Sequence, residues 1–299
     1  MDYLIRQMGH VVISSSDPEG AAQNLCDVTG LRITGREGGA VYLSSNDRHH
    51  EVTYVPGNGE AVALGLEATS DAAIDEVKSR AIKDGLTVLD DQPMGPGYDR
   101  AVRLVAPGGA VFEIHSPIVR DHSRRFLGGG GARPRRIEHV NFLSPDADGD
   151  ADFLSGLLEM RLSDRTADNG GRWFRAEDGF HHTVALVASD GLRMHHYAFD
   201  HHSLYDLQRL ADNLDTLGAS LIYGPGRHGA GDNIFTYYLD PMGCVVENSV
   251  EMRHIDNDAT YEPGIWDVSE GLEASWINKW GAPLPEAFIN GGIHFAPAA

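Results

Sequence analysis

The chain has 299 residues, 41% of them hydrophobic and 23% charged, which excludes a disordered, collagen-like or disulfide-stapled protein. At roughly 150 residues per domain it has room for two domains or one duplicated unit. Its 44 Asp plus Glu against 24 Lys plus Arg leave a formal net charge of -20, which repels phosphate backbones and anionic lipid headgroups, so neither nucleic acid nor a membrane is an expected partner.

From the N-terminus, MDYLIRQMGH has Asp2 and Arg6 where a signal peptide needs an unbroken apolar stretch, and no later apolar run approaches the ~20 residues that span a bilayer. With only Cys26 and Cys244 there is no disulfide framework, and the expectation is a soluble, cytoplasmic protein. The segment QMGHVVISSSDPEGAAQNLCDVTGLRI reads as an apolar strand carrying His10, an acidic turn with Asp17 as helix N-cap, an amphipathic helix and a glycine turn. SDAAIDEVKSRAIKDGLTVLDD continues as a helix ending at glycine and a short strand, and LVAPGGAVFEI closes the unit as strand, turn and strand.

A glycine-rich, basic seam at 128–136 then breaks all periodicity, and the same order of elements returns. RIEHVNFLSPDADGDADFLSGLLEMRL repeats the first segment, with Asp146 or Asp148 as N-cap; HSLYDLQRLADNLDTLGASLIYGPGRHG repeats the second; YYLDPMGCVVENS repeats the close. Each half is thus two strand-helix-strands units, and four βαβββ modules predict an α+β protein of curved sheets with helices outside. The expected divisions are an N-terminal scaffold domain, 1–127, a linker, 128–136, a catalytic metal-binding domain, 137–252, and a tail, 253–299, strapped over the second half by Trp266, Trp276 and Trp280.

Histidine is the commonest metal ligand, and the chain has 15. His139, His196 and Glu247 fall on corresponding strands of the second half, and two His with a carboxylate suit non-haem Fe(II) with dioxygen, or Mn(II). Taken singly, a strand histidine is more often structural and a strand-end glutamate more often solvated. Glu247, however, follows the apolar Val245 and Val246, where a carboxylate needs a charge partner or a metal. In the first half His10 matches His139 and Glu113 matches Glu247, but Gly65 or Leu66 stands where His196 would fall, so this half reads as a decayed copy. His181 and His195 are expected to point outward, since adjacent strand residues face opposite sides. His49, His50, His122, His201 and His202 are expected to be solvated in polar turns. Cys244 reads as a buried, inert thiol, and the seam lacks the Lys-Ser/Thr of a P-loop.

The segment GRHGAGDNIFTYYLDPMGCVVE, from Gly226 to Glu247, carries a Gly-x-His opening, a Tyr ahead of Asp-Pro, a Gly and a terminal Glu. On these residues the second half resembles the catalytic domain of the type I extradiol catechol dioxygenases of the vicinal oxygen chelate superfamily. The departure is Thr236, where that family usually has an aliphatic residue or Phe. The resemblance implies two tandem domains, each a pair of βαβββ modules forming an incomplete barrel. It implies His139, His196 and Glu247 as metal ligands, with His196 preferred to His195 as the second His of its pair. It implies His182 as an acid/base histidine, and His228 and Tyr237 as contacts to the substrate hydroxyls. The implied activity is Fe(II)-dependent ring cleavage of a catechol with insertion of both atoms of O2, Mn(II) being the other suitable metal, in a homo-oligomer such as a tetramer or octamer. The rivals are a Lewis-acid lyase or epimerase of the same superfamily, which has no need of His182, His228 and Tyr237, and a binding protein, which has no need of a metal with open positions. No arginine clamp is apparent near His228, so an uncharged ring substituent is expected.

Overall fold

The computed structural model describes residues 3–122 and 133–298, and positions 128–132 of the glycine-rich seam lie outside them. The elements run through one pattern four times. The first module is β1 (Ile5–Ser15), α1 (Pro18–Thr29), β2 (Arg32–Glu37), β3 (Ala40–Ser44) and β4 (Val52–Pro56); the second is β5 (Ala61–Ala68), α2 (Asp71–Lys83), β6 (Val88–Asp90), β7 (Ala101–Val105) and β8 (Val111–His115). The third is β9 (Arg136–Ser144), α3 (Ala147–Asp152), β10 (Arg161–Thr166), β11 (Gly171–Arg175) and β12 (Val184–Ala188); the fourth is β13 (Arg193–Asp200), α4 (Leu204–Thr216), β14 (Tyr223–Arg227), β15 (Ile234–Leu239) and β16 (Val245–Val250).

Each half forms one sheet, in the order β2-β3-β4-β1-β5-β8-β7-β6 and then β10-β11-β12-β9-β13-β16-β15-β14. In every module the first strand pairs in parallel with the last, and the two modules of a half join through their antiparallel first strands, β1 with β5 and β9 with β13. Local chemistry starts the helices as expected: the Asp17 side chain accepts from the Gly20 amide and Gly30, at φ 77°, closes α1 in the left-handed region. Between the two candidate caps of α3, Asp146 does the work, accepting from Gly149. The expected amphipathic helix there is a six-residue α-helix followed by a π-helical turn, Phe153–Leu157, which buries Phe153, Leu154 and Leu157.

Alternation along the strands decides which side chains meet. On β9, Val140 and Phe142 enter the apolar core beneath the helices, while His139, Asn141 and Leu143 line a pocket on the other face. The core runs through both halves: the Phe112 ring lies 5.8 Å from Phe142 and 5.3 Å from Phe153. A buried polar joint supplements it. Glu51 Oε1 accepts from Arg48, at 2.8 Å, and from the amide of Ile137 at the head of β9, at 3.0 Å.

The tail adds two short strands, β17 (Gly264–Trp266) beside β10 and β18 (Ile293–His294) beside β13, with a helical turn α5 (Glu286–Ile289) between them. Trp276 packs on Trp173 at 5.6 Å and Trp266 joins the same cluster, whereas Trp280 is 46% exposed. Among the described residues no helix is long and apolar enough to cross a membrane.

Because Glu51 serves Arg48 and Ile137 at once, Glu51→Ala leaves a buried guanidinium and a strand amide without their acceptor. The expected cost is about 3–5 kcal/mol, read as a shift of the urea midpoint; a loss within about 0.5 kcal/mol, the range of an ordinary surface substitution, would remove this joint from the account.

Candidate active site

The register of three strands builds the site. His139 on β9 pairs with Ala198 on β13, which pairs in turn with Glu247 on β16, so a histidine and a carboxylate flank a residue that carries only a methyl group. His196 lies two residues before Ala198 on the same face. His139 Nε2 is 3.0 Å and His196 Nε2 3.2 Å from Glu247 Oε2, and one donor atom from each residue lies within 4.8 Å of the others. All three side chains are buried.

The donor set fits a divalent cation. Burial alone would favour the neutral acid, yet His139 and His196 hold the Glu247 carboxyl well below the usual range. His139, against its own burial, is raised to about 9 by Glu247 and Glu138. One imidazolium proton thus lies between an imidazole and a carboxylate that a two-plus ion would bind directly, and two imidazoles with one carboxylate match the mixed nitrogen and oxygen preference of Fe(II) or Mn(II). The far side of the set is a pocket rather than protein.

Around these atoms stand the other expected residues. The His182 ring lies 4.3 Å from that of His139, and burial, then the neighbouring His139, pushes it well below the ordinary histidine range, so it is a neutral imidazole. Tyr237 Oη and His228 Nε2 are 2.8 Å apart; His228 Nδ1 donates to the Ile277 carbonyl, which leaves Nε2 as an acceptor. Burial lowers His228 to about 4. His139, His182, His196, His228, Tyr237 and Glu247 all line one cavity of about 260 Å³. The rest of its wall is largely apolar, Trp173, Val187, Leu272, Trp276, Leu284 and Phe288 among it.

Several expectations need correction. His181 and His195 do not point outward: His181 is fully buried with Nε2 3.2 Å from Asp164, and His195 is 5% exposed and lines the cavity. His50 and His201 are buried rather than solvated, His201 against the Asn248 side chain at 2.8 Å. Cys244 is buried as expected. In the first half, the position matching His196 is Ala63, not Gly65 or Leu66: Ala63 pairs with Val12 as His196 pairs with Asn141, whereas Gly65 pairs with His10 as Ala198 pairs with His139. The reading of a missing ligand stands, and Glu113 is instead occupied by His10, Tyr98 and the Met94 amide at 3.0, 2.7 and 2.8 Å.

Three contributors were not singled out from the sequence. Asn233 donates to Glu247 Oε1 at 2.9 Å, and it lies inside the segment that carried the resemblance. Glu138 accepts from His139 Nδ1 at 3.0 Å; a buried acid directly before a candidate ligand was its signal. The tail supplies the Ile277 carbonyl and much of the apolar wall, and nothing periodic in its sequence announced that.

Residues 136–247 match the model of the glyoxalase/bleomycin resistance protein/dioxygenase superfamily. The chain is 31% identical over 184 residues to metapyrocatechase 2 of Cupriavidus necator, a match over 62% of this chain that spans about half, 53%, of that relative. Along nearly its whole length, 90% of this chain and 93% of the other, it is 24% identical to a manganese-dependent 2,3-dihydroxybiphenyl 1,2-dioxygenase of Geobacillus genomosp. 3. The crystal structure of homoprotocatechuate 2,3-dioxygenase from Arthrobacter globiformis superimposes with a TM-score of 0.88 at 23% identity, over 98% of this chain and 92% of that one, which establishes the shared fold.

Because only the second half brings three donors together among the described residues, the chain is expected to bind about one divalent ion. His139→Ala, His196→Ala or Glu247→Ala abolishes it and His10→Ala does not, as elemental analysis of anaerobically loaded protein will read. Full metal content in His196→Ala would show the set to be misassigned.

Proposed function

We propose that the protein is an extradiol ring-cleavage dioxygenase that uses Fe(II), with Mn(II) as the alternative its donors also suit, to insert both atoms of O2 into a catechol. The observation that carries this reading is the single pocket in which His139, His196 and Glu247 converge with His182, His228 and Tyr237. The names of the relatives support the same chemistry. The bound ion would supply chelation of both catechol oxygens and an electron path to dioxygen.

The chain's own residues do the rest. A catechol must shed protons to bind through both oxygens, and the neutral, buried His182 is placed to take or return one. The Tyr237 hydroxyl donates to the bare His228 Nε2 on the same wall, which leaves its oxygen as an acceptor for a substrate hydroxyl. The indoles and aliphatic side chains above them exclude water, which strengthens every polar contact inside. No Lys or Arg is among the described lining residues, so the ring substituent is proposed to be uncharged, and Arg227 is engaged elsewhere, with Glu251 and the Asp232 carbonyl. A cytoplasmic homo-oligomer belongs to the same proposal, and light scattering reads the oligomeric state.

With Fe(II) and an uncharged catechol, oxygen uptake is expected to equal substrate consumed, a yellow product to form, and both labelled oxygens to enter it. Oxygen-independent turnover of a thioester, hemithioacetal or epimerisable substrate would replace this reading with Lewis-acid chemistry. His182→Phe preserves bulk and the three donors, so metal and catechol binding persist while the turnover number falls roughly 100-fold to 10,000-fold. A turnover number near that of the wild type would remove His182 from the mechanism.

A further inference from the structure

His195 precedes His196 on β13, and two consecutive strand residues ordinarily face opposite sides of a sheet. Here they do not, because the pairing with β9 slips between Met194 and His196 and leaves His195 as the extra residue of a bulge. The bulge turns the His195 ring onto its neighbour. Nδ1 of His195 lies 2.7 Å from Nδ1 of His196, and Nε2 of His195 lies 2.8 Å from the main-chain carbonyl of Phe288 in the tail.

These contacts determine where the hydrogens are. A carbonyl only accepts, so His195 Nε2 carries hydrogen and donates to Phe288. Two facing ring nitrogens need one hydrogen between them. If His196 binds a metal through Nε2, its hydrogen is on Nδ1, and His195 Nδ1 must be the bare acceptor. The chain Phe288 carbonyl, His195, His196 then presents a lone pair at His196 Nε2. We infer that His195 is a positioning residue that, held by the Phe288 carbonyl, sets the tautomer and ring orientation of His196 for metal binding. This rests on the reading of His196 as a ligand.

The path of the tail supports the assignment. Strand β18 pairs with Arg193 and Met194 immediately before the bulge, and the Arg193 guanidinium donates to the carbonyls of Asn290 and Gly291. Gly292, at φ 95°, passes so close that a Cβ there would stand 2.6 Å from the Met194 carbonyl oxygen and 2.8 Å from His195 Cα. The stretch that directly follows the carbonyl orienting His195 is therefore held against the bulge.

The test is Mn(II) affinity of the apoprotein, followed by electron paramagnetic resonance of the free ion, with the melting temperature of each metal-free variant measured beside it. His195→Phe removes the acceptor and is expected to weaken Mn(II) binding about 10-fold to 100-fold, the range for loss of a ligand's hydrogen-bond partner. His195→Asn places an amide oxygen near the position of Nδ1 and is expected to retain most of the affinity. Wild-type affinity in His195→Phe, or equal losses in both variants, overturns the inference while leaving the metal site intact. Absence of Mn(II) binding by the wild-type chain overturns the ligand reading and this inference together. Independently of folding of the variants, nitrogen NMR of the wild-type protein loaded with Zn(II) as a diamagnetic probe should find hydrogen on Nε2 of His195 and on Nδ1 of His196, and the opposite arrangement would overturn the inference.

Discussion

A carboxylate buried on the inner face of a sheet is the constraint on which the rest of this molecule turns. Glu247 is 1% exposed, and its desolvation would be ruinous without compensation, so the surrounding strands are arranged to provide it. His139 and His196 face one oxygen and Asn233 the other. Position 198, which separates His139 from Glu247 in the register, is alanine, since any longer side chain would stand between them. The same constraint explains why the set suits a divalent ion: the protein has already met the cost of gathering an anion and two imidazoles out of water, and a cation makes that assembly favourable.

Duplication accounts for the architecture, and divergence for its asymmetry. The two sheets share strand order and the slip in pairing beside the first histidine, at Gly9 before His10 and at Glu138 before His139. What changed is chemical. Glu138 holds the His139 ring, whereas Gly9 carries no side chain, and a Cβ there would stand 2.0 Å from His115 Nε2. Ala63 occupies the position of His196, and Glu113 has bonded inward to Tyr98 and the Met94 amide. In the first half His10 and Glu113 are fully buried, and contacts to the second half run through Glu51, Phe112 and Tyr54, whose hydroxyl lies 3.5 Å from that of Tyr197.

Much of this was legible because strand periodicity and duplication are written in residue types. The four modules and the cap at Asp17 follow from strand periodicity and duplication, His139, His196 and Glu247 are singled out by their corresponding strand positions, and His182, His228 and Tyr237 by the family resemblance alone. Two things were not legible. A bulge changes the face of a residue without changing its identity, so the rule that sends His195 outward fails where the register slips. A main-chain carbonyl has no signature at all in the sequence: Ile277 and Phe288 serve His228 and His195 through atoms every residue possesses, and only the path of the tail puts them there.

That path gives the tail a role larger than covering apolar surface. The segment between Trp276 and Phe288 closes the cavity with side chains and, from the same residues' backbone, fixes which nitrogen of two site histidines is bare. Water exclusion and tautomer selection are therefore coupled through one stretch of chain. A substitution that lifts this segment would admit water and, at the same time, free His228 and His195 to exchange tautomers, so the histidine cluster and the apolar wall would loosen together rather than one at a time. Enclosure of the pocket and orientation of its histidines are thus properties of a single folded state, in which the last elements of the chain complete what the strand register begins.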